Sequence, residues 1–514
     1  MLEVASPVTP HIIASTNSRR VLRASLADLI RYLVLLRRFF NPRLAQSSYL
    51  IACSTSREGI VIDPHRNIEV FVAAAAADGV RITAVTETHI HADFLSGSAE
   101  LAARSGARLY LSGEGRGSWS YADDFIRAAG PVLLQHGFAI RVGAVRLDIL
   151  HTPGHTPEHI TFLVTDTAVA DEPMGAVTGD FLFVGDIGRP DLLERAIQVA
   201  GSAEGGARQL FRSLKRLSSF ADYVQLWPGH SAGSACGKGI SAVPHSTLGY
   251  ERRHNWALQI GHEDEFVAGV LGGQPEAPAY FADMKRLNAR GSRPWSEVGR
   301  PRQVGLDDLV GHLSHGTVVI DTRSASAYAA NHIPGTVSLP LDRSFLTWTG
   351  SVVPIDASLL LIGDEHAVGE AVVDLGLIGM DHVIGYAGSD VIDAWQRRGR
   401  PLEPVRVVSA ASAAERFRQG SVVVLDVRGA SERAARHIPG SLHIPLPELP
   451  ARVGEVPSTT PVVVHCQSGA RSMIATSLLM THGHANVENM EGGLAAWLEA
   501  GEPLAGANGT ATDD

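Results

Sequence analysis

Three short motifs recur in the C-terminal half of the chain at one fixed distance, and they leave little freedom in how that half folds. Thr317-Val-Val-Ile-Asp321-Thr-Arg323 aligns with Val422-Val-Val-Leu-Asp426-Val-Arg428. Asn331-His332-Ile333-Pro334-Gly335 aligns with Arg436-His437-Ile438-Pro439-Gly440, and Leu339-Pro340-Leu341 with Ile444-Pro445-Leu446. Each pair is 105 residues apart. A constant offset over three motifs implies two copies of one α/β unit of roughly 100 residues. A further apolar run follows each copy, Leu359–Ile362 and then Val462–His465.

The copies diverge after that last strand. The second continues His465-Cys466-Gln467-Ser468-Gly469-Ala470-Arg471-Ser472, whereas the first continues Ile362-Gly363-Asp364-Glu365-His366 and contains no cysteine. Only the second copy is equipped for thiol chemistry. Its loop lies between a strand and a helix expected from about Ser472. Such a loop curls backbone N–H groups toward one point, and Gly469 eases the curvature. With Arg471 nearby, the loop 466–470 is suited to hold an anionic sulfur species.

At 514 residues the chain exceeds one core, and about three domains are expected. The expected division is an extension at 1–38, a first domain at 39–270 and a linker at 271–299. The two copies follow at 300–403 and 404–505, with a tail at 506–514. A net charge of −10 argues against a nucleic-acid partner. Three cysteines, Cys53, Cys236 and Cys466, do not make a disulfide framework and favour a reducing cytoplasm. No apolar run is long enough for a spanning helix, so no membrane partner is expected. Ser18-Arg19-Arg20 loosely resembles a twin-arginine signal, but Asp28, Arg31, Arg37 and Arg38 follow. The first residues are read instead as a poorly ordered extension with the fold starting near Leu35, an Arg-rich helix at about 20–38 being the alternative.

The first domain alternates short apolar strands with turns and helices, the pattern of an αββα sandwich. Directly after the strand at Ile82 comes Thr88-His89-Ile90-His91-Ala92-Asp93-Phe94. Imidazole and carboxylate are ligands for zinc or ferrous iron. His151-Thr152-Pro153-Gly154-His155, Thr178-Gly179-Asp180 and Trp227-Pro228-Gly229-His230 are later clusters able to complete such a site.

With Asp63, these clusters resemble the metallo-β-lactamase superfamily, and the likeness covers residues 39–262. The second repeat resembles a rhodanese domain through Asp-x-Arg, His-Ile-Pro-Gly, the Cys466 loop, Glu491-Gly492-Gly493 and Trp497; the first resembles an inactive copy. The implied fold is α/β, an αββα sandwich followed by two rhodanese-like domains. The superfamily's dimetal hydrolases carry a histidine where Phe94 stands, so one metal is expected. The nearest resemblance is to persulfide dioxygenases fused to rhodanese repeats. It implies Fe(II), or Zn as isolated, on His89, His155 and Asp180, with His91, Asp93, His230 and Asp63 around them.

The stretch Gly185–Asp191 also resembles that family, which makes Arg189 and Asp191 candidates for holding substrate. Lys238, Arg252 and Arg253 are candidates for meeting an anionic thiol carrier. Cys236, six residues beyond His230, is a candidate sulfur relay or an incidental thiol, and Cys53 a buried structural one. The resemblance implies oxidation of a small persulfide by O₂ to sulfite. Cys466 and Arg471 then serve sulfur transfer that gives thiosulfate, with Gln467, Ser468, Gly469 and Ala470 cradling the anion. The alternatives are a zinc thioester hydrolase of the glyoxalase II type and a non-catalytic sulfur carrier. Oligomeric state stays open.

Overall fold

The computed structural model describes residues 34–115, 117–192, 194 and 201–506. The first sheet has six strands lying in chain order: Val34–Asn41, Gln46–Cys53, Glu58–Ile62, Arg81–Thr86, Arg108–Ser112 and Val132–Leu134. The first three pair antiparallel and the rest parallel. The parallel steps need crossovers, which the helices Glu69–Ala77, Ser98–Ser105 and Asp123–Ala129 supply. The second sheet runs Ala139–Val142, Val145–His151, Ile160–Asp166, Gly175–Gly179, Gln225–Pro228 and Ser246–Thr247.

Side-chain alternation explains the layering. Tyr49 and Ile51 point between the sheets, against Leu147, Phe162 and Val177. Leu50 and Ala52, on the other face of the same strand, meet Phe71 and Ala75 of the first helix. On the far side, Leu163 and Leu226 pack on Leu210 and Leu214 of the helix Ser202–Arg216. The result is the expected αββα sandwich. Ligand-bearing segments emerge at the ends of its central strands.

One expectation fails at the N-terminal boundary. Residues 34–38 belong neither to an extension nor to a helix; they open the edge strand Val34–Asn41, paired over its whole length with Gln46–Cys53. Phe39 stacks edge-on against Phe71 at 4.8 Å, and Arg38 donates to Ser47 and Ser231. Arginines with long apolar stems decorate an edge strand as readily as a helix, which is why the segment reads ambiguously. Residues 1–33, where the twin-arginine-like stretch falls, and 507–514 of the tail lie outside the described residues.

The two repeats are five-stranded parallel sheets with the same strand order. Their shared Asp-x-Arg motif is a structural clasp. Arg323 pairs with Asp321 and donates to the Asn331 carbonyl; Arg428 pairs with Asp426 and donates to the Arg436 carbonyl, both at 2.8 Å. The repeats touch each other where the Ser338 N–H donates to Ser477 Oγ at 3.0 Å.

The first repeat also grips the metal-motif loop. The Leu95 N–H donates to the Leu377 carbonyl at 2.7 Å. Arg66, fully buried, forms a two-pronged pair with Asp381 at 2.5 and 2.8 Å. Phe94, Leu95, Tyr280 and Met284 share one apolar cluster with Leu377, Ile378 and Met380. Tyr280 and Met284 come from the segment expected as a linker, which forms a helix at Phe281–Arg290 wedged beside the loop. Among the described residues no helix is long and apolar enough to cross a membrane.

Candidate metal centre and sulfur loop

Strand ends aim the ligand groups. The strand Arg81–Thr86 delivers Thr88, His89 and His91; the strand Gly175–Gly179 ends one residue before Asp180; the strand Gln225–Pro228 ends two before His230. Two glycines let the backbone close around Asp180. A Cβ on Gly229 would fall 2.7 Å from Asp180 Oδ1, and one on Gly188 would fall 1.7 Å from the Asp180 carbonyl oxygen.

His89, His155 and Asp180 converge, all buried, with one potential ligand atom from each within 4.8 Å of the others. The hydrogen bonds around them decide which atoms are presented. Asp63 Oδ2 accepts from Thr88 Oγ1 at 3.0 Å, so that hydroxyl is left to accept from His89 Nδ1 at 2.9 Å. His155 Nδ1 donates to the Arg189 carbonyl at 2.8 Å, and His230 Nδ1 to the Ala45 carbonyl at 3.1 Å. In all three rings the second nitrogen, Nε2, is left with its lone pair facing the site. Such support of the far nitrogen is the usual setting of a metal-bound imidazole.

The buried Oδ2 of Asp180 has no hydrogen-bond donor, and neither does that of Asp93. Buried carboxylate oxygens without donors are costly, so a cation fits where they point. Burial and neighbouring imidazoles push the His89 pKa well below its ordinary value, and burial lowers that of His155. Both rings are therefore neutral and ready to ligate. Asp180 is an ionised carboxylate: burial works against its charge, but His230 and His155 outweigh it and hold the pKa below the usual range. The residues present fit a divalent metal.

His91 stands apart from this trio. Burial disfavours its charge, but the Asp63 carboxylate at 3.1 Å prevails and holds the pKa up at about 9. Its ring packs on Phe94 at 4.4 Å. Asp93 and His230 lie on the far side of Asp180. His230 Nε2 is 3.4 Å from both Asp93 Oδ2 and Asp180 Oδ1.

Three residues matter here without having been singled out from the sequence. His159 stacks on His89 with centroids 5.1 Å apart, and its Nε2 accepts the Asp180 N–H at 3.2 Å. Its spacing from His155, one helical turn's worth of residues, is a signal that was there to use. Glu158 accepts the Ile90 N–H at 3.0 Å. Asn288 donates to the carbonyls of His91 and Phe94, at 2.8 and 2.7 Å. It lies 197 residues from His91, and nothing local announces it.

Two expectations of substrate contact need correction. Arg189 is fully buried, its fork bonded to Asp191 and its Nη1 to the Ala235 carbonyl. The buried fork is turned onto these protein partners, and the Arg189 carbonyl serves to position His155. Lys238 places its ammonium on the carbonyls of Gly269 and Gly272, at the C-terminal end of the helix Glu263–Leu271, and over the Trp256 ring at 4.5 Å. It closes a helix. Arg252 is likewise engaged by Asp222 and by the carbonyls of Leu217 and Phe220.

Cys466 is buried at the end of the strand Val462–His465, and its Sγ accepts the Gly469 N–H at 3.1 Å. The following helix starts at Ala470, two residues earlier than expected, so its first turn faces the sulfur. Gly493 is required behind the loop, since a Cβ there would sit 2.5 Å from the Cys466 carbonyl oxygen. Gln467, Ser468 and Ala470 are exposed along the rim. Arg471 is less free than expected. Both of its terminal nitrogens bind Glu432, at 2.6 and 2.7 Å, while its charge still acts on the sulfur. A cavity of about 260 Å³ adjoins Arg471, with Trp348 of the first repeat and Glu276 in its wall.

Cys236 is buried beside Asp93, and burial drives its thiol pKa well up. Cys53 Sγ accepts the Ala144 N–H at 3.4 Å at a strand end.

His465, next to the sulfur loop, carries a pH prediction. Burial lowers its pKa to about 4, against an ordinary value of 6.5. The folded form therefore binds fewer protons than the unfolded one. Its contribution is complete above pH 6.5 and is lost as pH falls toward 4, to the order of 3 kcal/mol. A His465→Gln variant is expected to lose less stability than the wild type over this window, as read by urea unfolding at stepped pH.

Comparison with known proteins agrees with both halves of this picture. The Metallo-beta-lactamase superfamily matches residues 41–222, and the Rhodanese-like domain matches residues 409–500. A crystal structure of a metallo-beta-lactamase from Staphylococcus aureus superposes with a TM-score of 0.64 at 41% identity, covering 69% of this chain and 99% of that one. A sulfurtransferase of Allochromatium vinosum is 39% identical over 88 residues, 17% of this chain and 82% of its own. The mitochondrial persulfide dioxygenase ETHE1 of Mus musculus is 28% identical over 240 residues, 46% of this chain and 79% of its own. The chain belongs to the metallo-β-lactamase superfamily and carries a rhodanese-like domain in its C-terminal part.

Proposed function

We propose that the first domain oxidises a small thiol persulfide with O₂, using one Fe(II) held by His89, His155 and Asp180. The observation that carries this reading is the trio itself: two neutral imidazoles and one carboxylate, buried, with their free donor atoms facing a common point. Two histidines and one carboxylate leave open positions, which suits a non-haem iron oxygenase. Iron supplies the stepwise electron transfer that O₂ requires and that d¹⁰ zinc lacks. The likeness to a persulfide dioxygenase supports sulfur as the atom oxidised.

The balance is R–S–S⁻ + O₂ + H₂O → R–SH + SO₃²⁻ + H⁺, the terminal sulfur being oxidised and the thiol released. R is glutathione, coenzyme A or cysteine. The chain's own residues orient and exclude water. Thr88 and the Arg189 carbonyl fix the two imidazoles, and Phe94 and Phe183 close the apolar side.

Cys466 then takes a sulfane sulfur from a second persulfide, R–S–S⁻ + Cys–SH → R–SH + Cys–S–S⁻, and passes it on. A Cys466 persulfide transfers its outer sulfur to sulfite, Cys–S–S⁻ + SO₃²⁻ → Cys–S⁻ + S₂O₃²⁻, and the Gly469 N–H and the helix start at Ala470 receive the anion. Carrying both sites on one chain raises the effective concentration of sulfite at the second.

The test is metal content together with O₂ uptake on glutathione persulfide. Iron and uptake are expected. Zinc with thioester cleavage would identify a hydrolase of the glyoxalase II type, and neither activity would leave a sulfur carrier. For the coupling, Cys466→Ser is expected to shift product from thiosulfate to sulfite with O₂ uptake retained. An unchanged product ratio would sink it.

A further inference from the structure

Three parts of the chain build the surroundings of the sulfur loop, and only one of them is the repeat that carries the cysteine. Beside Arg471 lies the cavity of about 260 Å³. Glu432 and Arg471 of the second repeat line it, together with Trp348 of the first repeat and Pro275, Glu276 and Pro278 of the segment between the domains. We propose that this cavity holds the carrier group of the persulfide that loads Cys466, and that Glu276 selects a carrier of amino-acid size with a primary ammonium, as in cysteine persulfide. This carrier site presupposes that Cys466 transfers sulfur.

Charge decides the class of carrier. Of the three ionic side chains in the wall, Glu432 and Arg471 neutralise each other, with bonds of 2.6 and 2.7 Å. Glu276 is left over. Its Oε1 accepts the Ala430 N–H at 2.6 Å. Among the described residues its Oε2 has no hydrogen-bond donor and no cation within ion-pair distance. Gly429 makes room for that oxygen, since a Cβ there would fall 3.3 Å from it. The cavity keeps one uncompensated negative charge, which attracts an ammonium and repels a phosphate.

The groups are in place before a ligand arrives. Pro275 and Pro278 restrict the backbone around Glu276, and Pro278 is buried. Trp348 stands on the helix Phe345–Val352, its ring 5.9 Å from Arg471 Cζ. An aromatic wall adds attraction for a cation. Size acts in the same direction. The cavity is smaller than the roughly 300–1,000 Å³ of pockets for drug-sized ligands, which suits an amino acid and excludes coenzyme A with its nucleotide and phosphates.

In the loading step the Cys466 thiolate attacks the outer sulfur of the carrier persulfide. A bond forms between Cys466 Sγ and that sulfur, the carrier's own S–S bond breaks, and the Cys466 proton ends on the departing thiol. Glu276 meets the carrier and not the reacting sulfurs, so its effect falls on KM rather than on kcat.

The experiment uses the full chain under nitrogen, so that no O₂ is consumed, with sulfite as acceptor and thiosulfate as the readout. The rate with Cys466→Ser is subtracted as background. Wild type is expected to use cysteine persulfide with a kcat/KM at least about tenfold above that for N-acetylcysteine persulfide, the effect of one hydrogen bond to a charged group. Coenzyme A persulfide should fall with the N-acetyl compound. Glu276→Gln keeps an oxygen for the Ala430 N–H, so the helix Ala430–Ala435 keeps its cap. This variant should bring the ratio of the two kcat/KM values close to one, through the KM for cysteine persulfide. A merely structural role would lower both values together and leave the ratio.

A wild-type ratio near one, or a ratio that survives Glu276→Gln, would overturn the proposal. If wild type makes thiosulfate no faster than Cys466→Ser with any of these persulfides, the sulfur-transfer reading of Cys466 falls and the carrier site with it. Transfer without selection keeps that reading and loses this one.

Discussion

Exchanging Asp180 for alanine is expected to weaken iron binding by more than about 100-fold and to abolish persulfide-dependent O₂ uptake. Removing a group that merely supports a ligand costs about 10–100-fold in metal affinity or activity. Thr88→Val is such a change, since the Thr88 hydroxyl fixes His89 Nδ1 but has no place among the ligand atoms. Asp180 supplies the only carboxylate in its trio, and its charge balances the ion among neutral imidazoles, so its loss must exceed that range. The fold should survive. The side chain is held by imidazoles, and the backbone contact to His159 does not depend on it. Iron titration and circular dichroism separate the two effects. An Asp180→Ala protein that kept iron within tenfold of wild type would move the carboxylate ligand elsewhere, with Asp93 the next candidate.

How much of this was readable in advance follows the range of the interactions. The repeat was legible because a strand, an Asp-x-Arg clasp and a turn are each encoded within a few residues. The clusters that contain His89, His155 and Asp180 were legible because each is a short motif that follows a strand, while the choice of these three came from the family resemblance. What escaped was set by contacts distant in sequence. Asn288 holds the carbonyls of His91 and Phe94 from a helix near 285, in a segment whose Gly and Pro content reads as linker. Arg189 and Lys238 looked like substrate-facing charges because an arginine in a glycine-rich loop carries no sign of its partner. Asp191 and two helix-end carbonyls turned both inward. The edge strand Val34–Asn41 was missed because alternation mixed with arginine has no single period. Cys236 reaches Asp93 from another loop, and no local motif could show that.

The second large effect belongs to the pair that joins the metal loop to the first repeat. Arg66→Ala is expected to destabilise the chain by about 3–5 kcal/mol, the range for breaking one side of a buried ion pair. Arg66 is fully buried, and besides its two bonds to Asp381 it donates to the carbonyls of Arg293, Pro294 and Gly376. Alanine therefore strands a carboxylate that is 13% exposed, together with three carbonyl oxygens. Asp381→Ala should cost a similar amount, because it leaves the guanidinium unpaired. Arg66→Met combined with Asp381→Leu should recover much of the loss, since apolar replacement of a whole buried pair is often neutral. Urea unfolding of wild type, Arg66→Met, Asp381→Leu and the double variant gives this coupling. The functional consequence follows from position. Leu95, one residue beyond Phe94, hangs from Leu377 of the same repeat, so loosening that repeat frees the loop carrying His89 and Asp93. Iron affinity should fall in Arg66→Ala without any ligand having been touched, and should return in the Met/Leu double variant. If stability falls while iron affinity holds, the cysteine-free repeat is a passive neighbour. If both fall and return together, its retention without a reactive sulfur is explained: it is the wall against which the metal loop is held.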